Sequence, residues 1–144
     1  MDDELDTGVL LLIPYRDLEA RVFRALADAG FDDFTPAQAR VMQRIGLDGT
    51  RLTELAAAAG ITKQTASFLV DQLERTGYVR RTPDPADGRA RLVRIAERGA
   101  AAQPVAAAVV ASVEAEWRAH LGERRWKALR DALARLREIT DPDR

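Results

Sequence analysis

Hydrophobic and polar positions alternate at helical spacing along most of the chain. In the N-terminal segment one apolar face is formed by Leu11, Tyr15, Leu18, Val22 and Leu26. These gaps of three and four residues predict a helix over about residues 9–26, preceded by an acidic, frayed tail over residues 1–8. Pro14 lies within the pattern and either begins the helix proper or kinks it, because its ring removes a donor and clashes with the preceding turn.

A second helix is signalled by Thr35-Pro36-Ala37-Gln38. Thr35 can serve as N-cap, proline is favoured at the first helical position, and Gln38 completes a capping box. The pattern predicts a helix that ends near Gly46.

Two further helix patterns follow within about 25 residues, separated by a glycine. Thr53 can cap a short helix that ends at Ala59, and Gly60 stands where a left-handed terminating residue belongs. Thr62 can cap a longer helix that runs to about Thr76. Its predicted inner face consists of Ala66, Leu69, Val70 and Leu73. A helix, a tight turn and a second helix make a helix-turn-helix.

Two short strands are predicted directly after this unit, over residues 78–81 and 89–95, joined by a polar loop over residues 82–88. The second strand alternates polar and apolar residues, as a half-buried strand does. Helix-turn-helix and hairpin together predict a winged helix. Its expected core consists of Leu55, Ile61, Leu69, Leu73, Val79 and Leu92.

Two helices close the chain. Apolar residues every four positions, from Val105 to Trp117, predict a helix over about residues 97–119, with Pro104 placed to kink or restart it. Leu121-Gly122 breaks the pattern, and a last helix over residues 123–139 has the a/d spacing of a coiled coil. Its seam consists of Trp126, Leu129, Leu133 and Leu136.

The long apolar stripes of the first and last helices leave two alternatives. They fold back onto their own domain, or they bury against a second copy to give a two-fold dimer, which we favour because a palindromic site needs two reading helices. The predicted fold is mainly α: one domain over residues 1–144. It has a helical dimerisation region (residues 9–34 and 97–140) and a winged helix-turn-helix lobe (residues 35–96).

Composition narrows the chemistry. The chain has no cysteine and one histidine, His120, so thiol chemistry and cysteine metal sites are excluded, and we expect neither a metal nor a cofactor. The start is acidic and the longest strictly apolar run, Val105–Ala111, is far shorter than the ~20 residues that span a bilayer. Twenty of the 22 basic residues are arginine, which suggests a bacterial protein, and we expect it to be cytoplasmic and without a membrane partner.

The distribution of charge favours DNA more than the net charge of −1 does. Residues 51–95 carry eight basic and five acidic residues, and phosphate binding depends on the face presented. On the second helix of the helix-turn-helix, Gln64 can pair with adenine and Lys63 can reach guanine or phosphate. Outward residues, toward a groove or water, are Lys63, Gln64, Thr65, Ser67, Phe68, Asp71 and Gln72.

Phe68 is unusual on a face meant for water. It either contacts a thymine methyl group or turns into the wing core, and we expect the core. In the wing, Arg89 and Arg91 flank a tip that can enter a minor groove. Asp87 is expected to orient a neighbouring guanidinium. The predicted DNA contacts are Thr62, Lys63, Gln64, Thr65, Ser67, Phe68, Arg89 and Arg91.

With these motifs the chain resembles the MarR family of regulators over about residues 9–139. The segment Asp87-Gly-Arg89, followed by Ile95-Ala96-Glu-Arg-Gly99, is similar to the family's Asp-x-Arg, strand, Leu-Thr-x-x-Gly pattern. The segment from Thr65 to Gly77 is similar to its recognition helix. Three positions depart from the pattern: Phe68 replaces a common Arg, Ala96 a capping Thr, and Gly88 a frequent Arg.

The resemblance implies a homodimeric transcriptional regulator that binds a pseudo-palindromic operator of double-stranded DNA, with half-sites ~34–36 Å apart. Such regulators commonly repress by occluding a promoter, and many are released by small phenolic or anionic ligands bound between the dimerisation helices and the DNA-binding lobe. Residues expected to line such a pocket are Tyr15, Arg16, Met42, Trp117 and His120. For two of them a structural role is the alternative, with Trp117 packed in a core and His120 at a solvated helix end.

Two other classes of function compete with DNA binding. An enzyme is disfavoured because the sequence contains no G-x-x-x-x-G-K, H-E-x-x-H or G-x-S-x-G motif. A winged helix that assembles proteins without DNA is the other alternative, and the basic wing argues against it.

Overall fold

The computed structural model describes residues 4–141 as six helices and a three-stranded antiparallel sheet. The predicted mainly α winged-helix fold is confirmed. The elements are α1 (Thr7–Asp28), α2 (Pro36–Met42), β1 (Thr50–Arg51), α3 (Leu52–Ala59), α4 (Lys63–Arg75), β2 (Val79–Asp84), β3 (Asp87–Ile95), α5 (Glu97–Leu121) and α6 (Glu123–Thr140).

Helix α1 begins earlier than predicted. The side chain of Asp6 accepts a hydrogen bond from the backbone N–H of Val9 at 2.9 Å and caps the helix. The expectation that the tail continues through Thr7 and Gly8 is therefore wrong. Residues 4–6 precede the helix, and residues 1–3 lie outside the described residues. Pro14 lies inside α1 and does not begin it.

The starts of the next helices are set by side chains in two cases and by the sheet in one. The capping box of α2 and the Thr62 cap of α4 are both present, as predicted. Helix α3 begins at Leu52 without a side-chain cap, so the predicted Thr53 cap is wrong. The preceding Arg51 belongs to β1, and strand pairing fixes where the chain turns into the helix. Gly60 ends α3 with a φ of 69°, a left-handed conformation that glycine adopts without strain.

The sheet has the order β1-β3-β2. Pairing of Thr50 with Val93 and of Arg51 with Leu92 adds a short strand that the sequence did not reveal. The hairpin is also longer than predicted, because most of the expected loop over residues 82–88 pairs as strand. The wing is therefore paired as strand almost to its tip, with a register shift between Pro83 and Asp84.

The core lies where α1, α2, α3, α4, β2, β3 and α5 meet. Leu55, Leu69, Leu73 and Val79 are buried as predicted, whereas Ile61 packs at the edge of the cluster. In β3 the expectation was wrong by one residue, since Val93 is buried and Leu92 is half-buried. Successive side chains in a strand face opposite sides, so a one-residue error reverses the assignment.

The two C-terminal helices leave apolar surface uncovered. Helix α5 continues through Pro104 and packs along α1, with Arg21 donating to Glu116 at 2.7 Å. In α6 only Trp126 of the predicted seam is buried, and the exposed hydrophobic residues are Leu133, Leu136 and Ile139. The described residues, 4–141, include no helix with the length and apolar character needed to cross a membrane.

Candidate nucleic-acid interface

Helix α4 divides into a buried and an exposed face. The residues on the buried face are Ala66, Leu69, Val70 and Leu73, as predicted. Successive residues of an α-helix are rotated by about 100°, so Gln64, Phe68, Asp71 and Arg75 lie opposite this face, and all four are exposed. Gln72 was expected to face outward, but its side-chain Oε1 accepts a hydrogen bond from Nε2 of Gln38 in α2 at 2.8 Å. This contact braces the recognition helix against α2.

The N-terminal turn of α4 is exposed and polar. Thr62 accepts from the backbone N–H of Thr65 at 3.1 Å and donates to its hydroxyl at 2.9 Å. Lys63 and Gln64 follow directly and are exposed. A helix N-terminus carries partial positive charge, so phosphate or a base edge is a suitable partner.

Phe68 lies on the surface. Its exposed fraction is 58%, so the expectation that it turns into the wing core is wrong. The next two residues, Leu69 and Val70, fill the inner side of α4, and position 68 lies across the helix from them. Ser67, at the edge between the two faces, is half-buried.

The wing presents two exposed arginines. Neither Arg89 nor Arg91 has an acidic partner within ion-pair distance in residues 4–141. The Asp87 carboxylate accepts from the backbone N–H of Arg89 at 3.1 Å, so it shapes the turn and does not orient a guanidinium as expected. Both cations are therefore available to a phosphate backbone or a minor groove.

In the wing, the carboxylate that holds a guanidinium is Asp84 and not Asp87. The sequence analysis did not identify Asp84. It is buried, and it accepts from Arg51 Nε at 2.9 Å and Nη2 at 2.7 Å and from the Ala86 backbone N–H at 2.9 Å. The hydrogen bonds from Ala86 and Arg51 hold the pKa of Asp84 below its ordinary value. The pair ties the wing tip to β1, and its partners are too far apart in sequence to give a local signal.

Two acidic residues of α4 share one arginine of a neighbouring strand. Arg81 of β2 pairs with Asp71 at 2.8 Å and with Glu74 at 3.0 Å. These contacts offset the two carboxylates nearest the exposed face of α4, which reduces repulsion of a polyanion.

Two cavities adjoin α1. One of about 360 Å³ lies between α1, α2 and α5 and is lined by Tyr15 and Met42. The other, of about 770 Å³, lies between the start of α1 and the ends of α5 and α6 and is lined by Tyr15, Trp117 and His120. The structure therefore divides the predicted pocket residues between two cavities, and Arg16 lines neither and is exposed.

The first cavity contains an ionic group that the sequence did not indicate. Glu19 accepts from the Tyr15 hydroxyl at 3.0 Å and pairs with Arg40 of α2 at 3.1 Å. Most of the other lining residues are apolar, such as Val22, Phe34 and Val110. An amphipathic molecule of small size fits this combination.

The model of the MarR family matches residues 32–90, from the end of α1 into the wing. Among solved structures, MarR superimposes with a TM-score of 0.78 at 26% sequence identity, covering 97% of this chain and 94% of that one. The chain is similar to the MarR family in sequence over residues 32–90 and in fold over most of its length.

Two other structural neighbours contain ligands. CouR from Rhodococcus jostii, bound to p-coumaroyl-CoA, has a TM-score of 0.72 at 27% identity, covering 95% of this chain and 93% of that one. A Mycobacterium tuberculosis MarR-family protein in complex with salicylic acid has a TM-score of 0.64 at 26% identity, with coverage of 94% and 99%. A search of curated proteins gives no significant match.

Arg98 joins the winged helix-turn-helix lobe to the long helices α1 and α5. Its guanidinium donates to the Asp33 carboxylate, to the Thr76 carbonyl at 3.2 Å and to the Gly30 carbonyl at 3.3 Å. It also lies 4.6 Å from the centroid of the Tyr78 ring, and the Tyr78 hydroxyl donates to Asp33. The cluster links the ends of α1 and α4 to the start of α5.

Both acidic groups of this cluster have shifted pKa values. Hydrogen bonds from Arg98 and then Tyr78 hold the pKa of Asp33 below its ordinary value of 3.8. Burial, followed by the bond to Asp33, raises the pKa of the Tyr78 hydroxyl. Tyr78 is therefore a neutral donor and Asp33 an ionised acceptor at neutral pH.

Asp33→Asn is expected to lower the free energy of unfolding at pH 7, by under about 1 kcal/mol because the side chain is partly exposed and solvent screens it. The pKa of Asp33 is depressed in the folded state, so its contribution is present above 3.8 and is lost as pH falls through the folded-state value. Urea unfolding at several pH values should show the difference between variant and parent shrinking as the pH falls below 3.8. Asp32→Asn controls for loss of a charge, and a pH-independent difference for Asp33→Asn would contradict this account.

Proposed function

We propose that this MarR-family protein is a homodimeric transcriptional regulator of the bacterial cytoplasm, which represses by occupying a pseudo-palindromic operator. The observation that carries the proposal is that one lobe presents both an exposed polar α4 N-terminus and two exposed wing arginines without an acidic partner within residues 4–141. Helix α4 would enter the major groove and the wing the adjacent minor groove.

The proposed contacts divide into positioning and reading. Thr62, Thr65 and Ser67 would donate to phosphate, and Arg89 and Arg91 would neutralise phosphates or sense a narrow minor groove. Gln64 would read adenine through a bidentate pair, and Lys63 guanine or phosphate. The Arg51–Asp84 pair supports this division, since it links the wing to β1 in the absence of DNA.

A dimer is supported by the surface that one chain leaves bare. The start of α1 exposes Leu10, Leu11, Leu12 and Ile13, and α6 exposes Leu133 and Leu136. These segments border the same cavity of about 770 Å³. Contiguous apolar surface of this kind marks an interface, and a second copy would cover it by two-fold symmetry.

Release by a small phenolic or anionic effector is supported by the cavity of about 360 Å³. This cavity is lined by Ala39 and Met42 of α2, and α2 also contacts α4 through the hydrogen bond from Gln38 to Gln72. A ligand that prefers one spacing of α1 and α2 would shift α4 by population shift, without any chemical step. The complexes of CouR and the M. tuberculosis protein support this class of effector.

Neither of the two alternatives, an enzyme or a protein-assembly module, has a comparable observation in its favour. Enzymatic activity is not proposed, because the carboxylates of α5 and α6 lie along helix surfaces, where several pair with arginines. A protein-assembly module would need no exposed arginine pair at the wing. Duplexes selected from a random library should bind with an affinity that falls steeply with salt, whereas weak, salt-insensitive binding to every duplex would favour assembly.

Arg89→Ala is expected to weaken binding to all duplexes, because its contacts are to phosphate or groove shape. Gln64→Ala should lower affinity for the selected operator by about 1–3 kcal/mol while leaving random DNA nearly unaffected, because it loses a base contact. Fluorescence anisotropy titrations on both duplexes measure the two losses.

Arg24→Ala, at an exposed arginine of α1, is the matched control for removal of a positive charge. It should leave both affinities close to those of the parent. If Arg89→Ala and Gln64→Ala each lose the same affinity for the operator as for random DNA, the division between positioning and base-reading residues is refuted.

A further inference from the structure

The exposed ring of Phe68 is unusual for a side chain at the centre of a polar surface. It is 58% exposed, and within residues 4–141 no ring contact or cation–π contact joins it to another residue. The ordinary position for a phenylalanine is a core. An apolar ring kept in water on the face that is proposed to meet DNA therefore calls for a partner in the complex.

The position of Phe68 on α4 places it near base edges. It lies one helical turn after Gln64 on the same exposed face. Because the Cα–Cβ bonds of a helix tilt toward its N-terminus, the ring leans over the turn that contains Gln64. Residues in the first turns of a recognition helix are those that reach base edges in the major groove.

The chemistry of the major groove offers one apolar group at a base edge. Thymine presents a 5-methyl group there, whereas the other positions of the four base pairs are hydrogen-bond donors and acceptors. The ring has no polar atom that could satisfy those positions. Basic and polar neighbours at Lys63, Gln64 and Thr65 make the surrounding surface complementary to DNA and not to an apolar protein partner.

We propose that Phe68 determines specificity by packing on the 5-methyl group of a thymine in each half-site, next to the adenine that Gln64 reads. The proposal rests on the proposed DNA-binding function and adds a residue that selects a base. It assigns methyl recognition to a position where the resemblance to the family would have led to an arginine contact.

Deoxyuridine provides the test, because it lacks only the 5-methyl group of thymine. Operators are selected from a random duplex library with the parent protein, and each thymine of a half-site is then replaced singly by deoxyuridine. The parent should lose about fourfold in affinity at one thymine, the equivalent of the ~0.8 kcal/mol for burying one such carbon. Replacement at the other thymines should leave the affinity unchanged.

Phe68→Ala should bind the thymine and deoxyuridine duplexes equally at that position, and Phe68→Leu should retain part of the difference. Gln64→Ala is the matched control: its affinity falls, but the methyl dependence remains. Since Phe68 is exposed, Phe68→Ala is expected to leave the thermal unfolding midpoint unchanged, which separates loss of contact from loss of fold.

The failures of the two proposals are distinguishable. If operators are recovered but no thymine shows a methyl dependence, or if Phe68→Ala shows the same dependence as the parent, the inference about Phe68 is overturned and DNA binding stands. If no duplex is recovered, the proposed function fails and the inference fails with it.

Discussion

Leu133→Glu is expected to convert the proposed dimer into a monomer. The side chain is 40% exposed in the single chain and borders the apolar cavity between α1, α5 and α6. In a two-fold dimer the substitution would bury two carboxylates without partners, at a cost of several kcal/mol for each. We expect the dimer dissociation constant to rise by at least about 100-fold.

The same substitution should weaken operator binding at micromolar or lower protein concentration, because a monomer engages one half-site and loses the effective concentration of the second. Leu47→Glu is the matched control, since Leu47 is fully exposed in the turn after α2 and borders neither cavity. Sedimentation velocity measures the oligomeric state of both variants. A Leu133→Glu variant that remains dimeric would place the interface elsewhere.

Gly99→Ala is expected to have the largest effect on stability. A Cβ atom at this position would lie 2.4 Å from the Tyr78 carbonyl oxygen and 3.0 Å from the Ile95 Cγ2. The same carbonyl accepts the Ala96 backbone N–H at 2.9 Å, so it cannot move away without losing a hydrogen bond. Overpacking of this kind costs about 1–3 kcal/mol, which outweighs the gain of up to about 1 kcal/mol in helix propensity.

Gly88→Ala is the matched control for Gly99→Ala. A Cβ atom at Gly88 meets nothing within 4 Å, and we expect the free energy of unfolding to change by less than about 0.5 kcal/mol. Urea denaturation measures both variants. If Gly99→Ala is as stable as the parent, the close contact between α5 and the Tyr78 backbone does not restrict residue 99 to glycine.

Local signals in the sequence predicted the helices of the winged helix-turn-helix lobe well. The capping residues Thr35 and Thr62 and the left-handed Gly60 act within one or two turns, so their geometry follows from neighbouring residues alone. The inner face of α4 followed from the helical period. The error at Phe68 arose because apolar character was given more weight than helical position, although the position placed it opposite the buried face.

Contacts between distant residues could not be predicted. Strand β1 has two residues and becomes a strand only by pairing with β3. The Arg51–Asp84 pair and the cluster of Asp33, Tyr78 and Arg98 connect residues 33 to 65 positions apart, and neither leaves a local pattern. The division of the pocket residues between two cavities likewise depends on how α1, α5 and α6 pack.

These long-range contacts connect the two halves of the molecule and are relevant to the proposed response to a ligand. Arg98 bonds the carbonyls at the ends of α1 and α4, while α2 contacts both the smaller cavity and Gln72 of α4. A change in the spacing of α1 and α2 would therefore reach the recognition helix through bonded contacts.

The mass of the complex with a selected operator shows whether two chains bind one duplex, as the proposed homodimer would. Native mass spectrometry of the protein with a duplex that contains two half-sites reports the number of chains bound. We expect two chains on one duplex, with no complex of a single chain at comparable abundance. A complex with one chain, or no complex on any selected duplex, would contradict it.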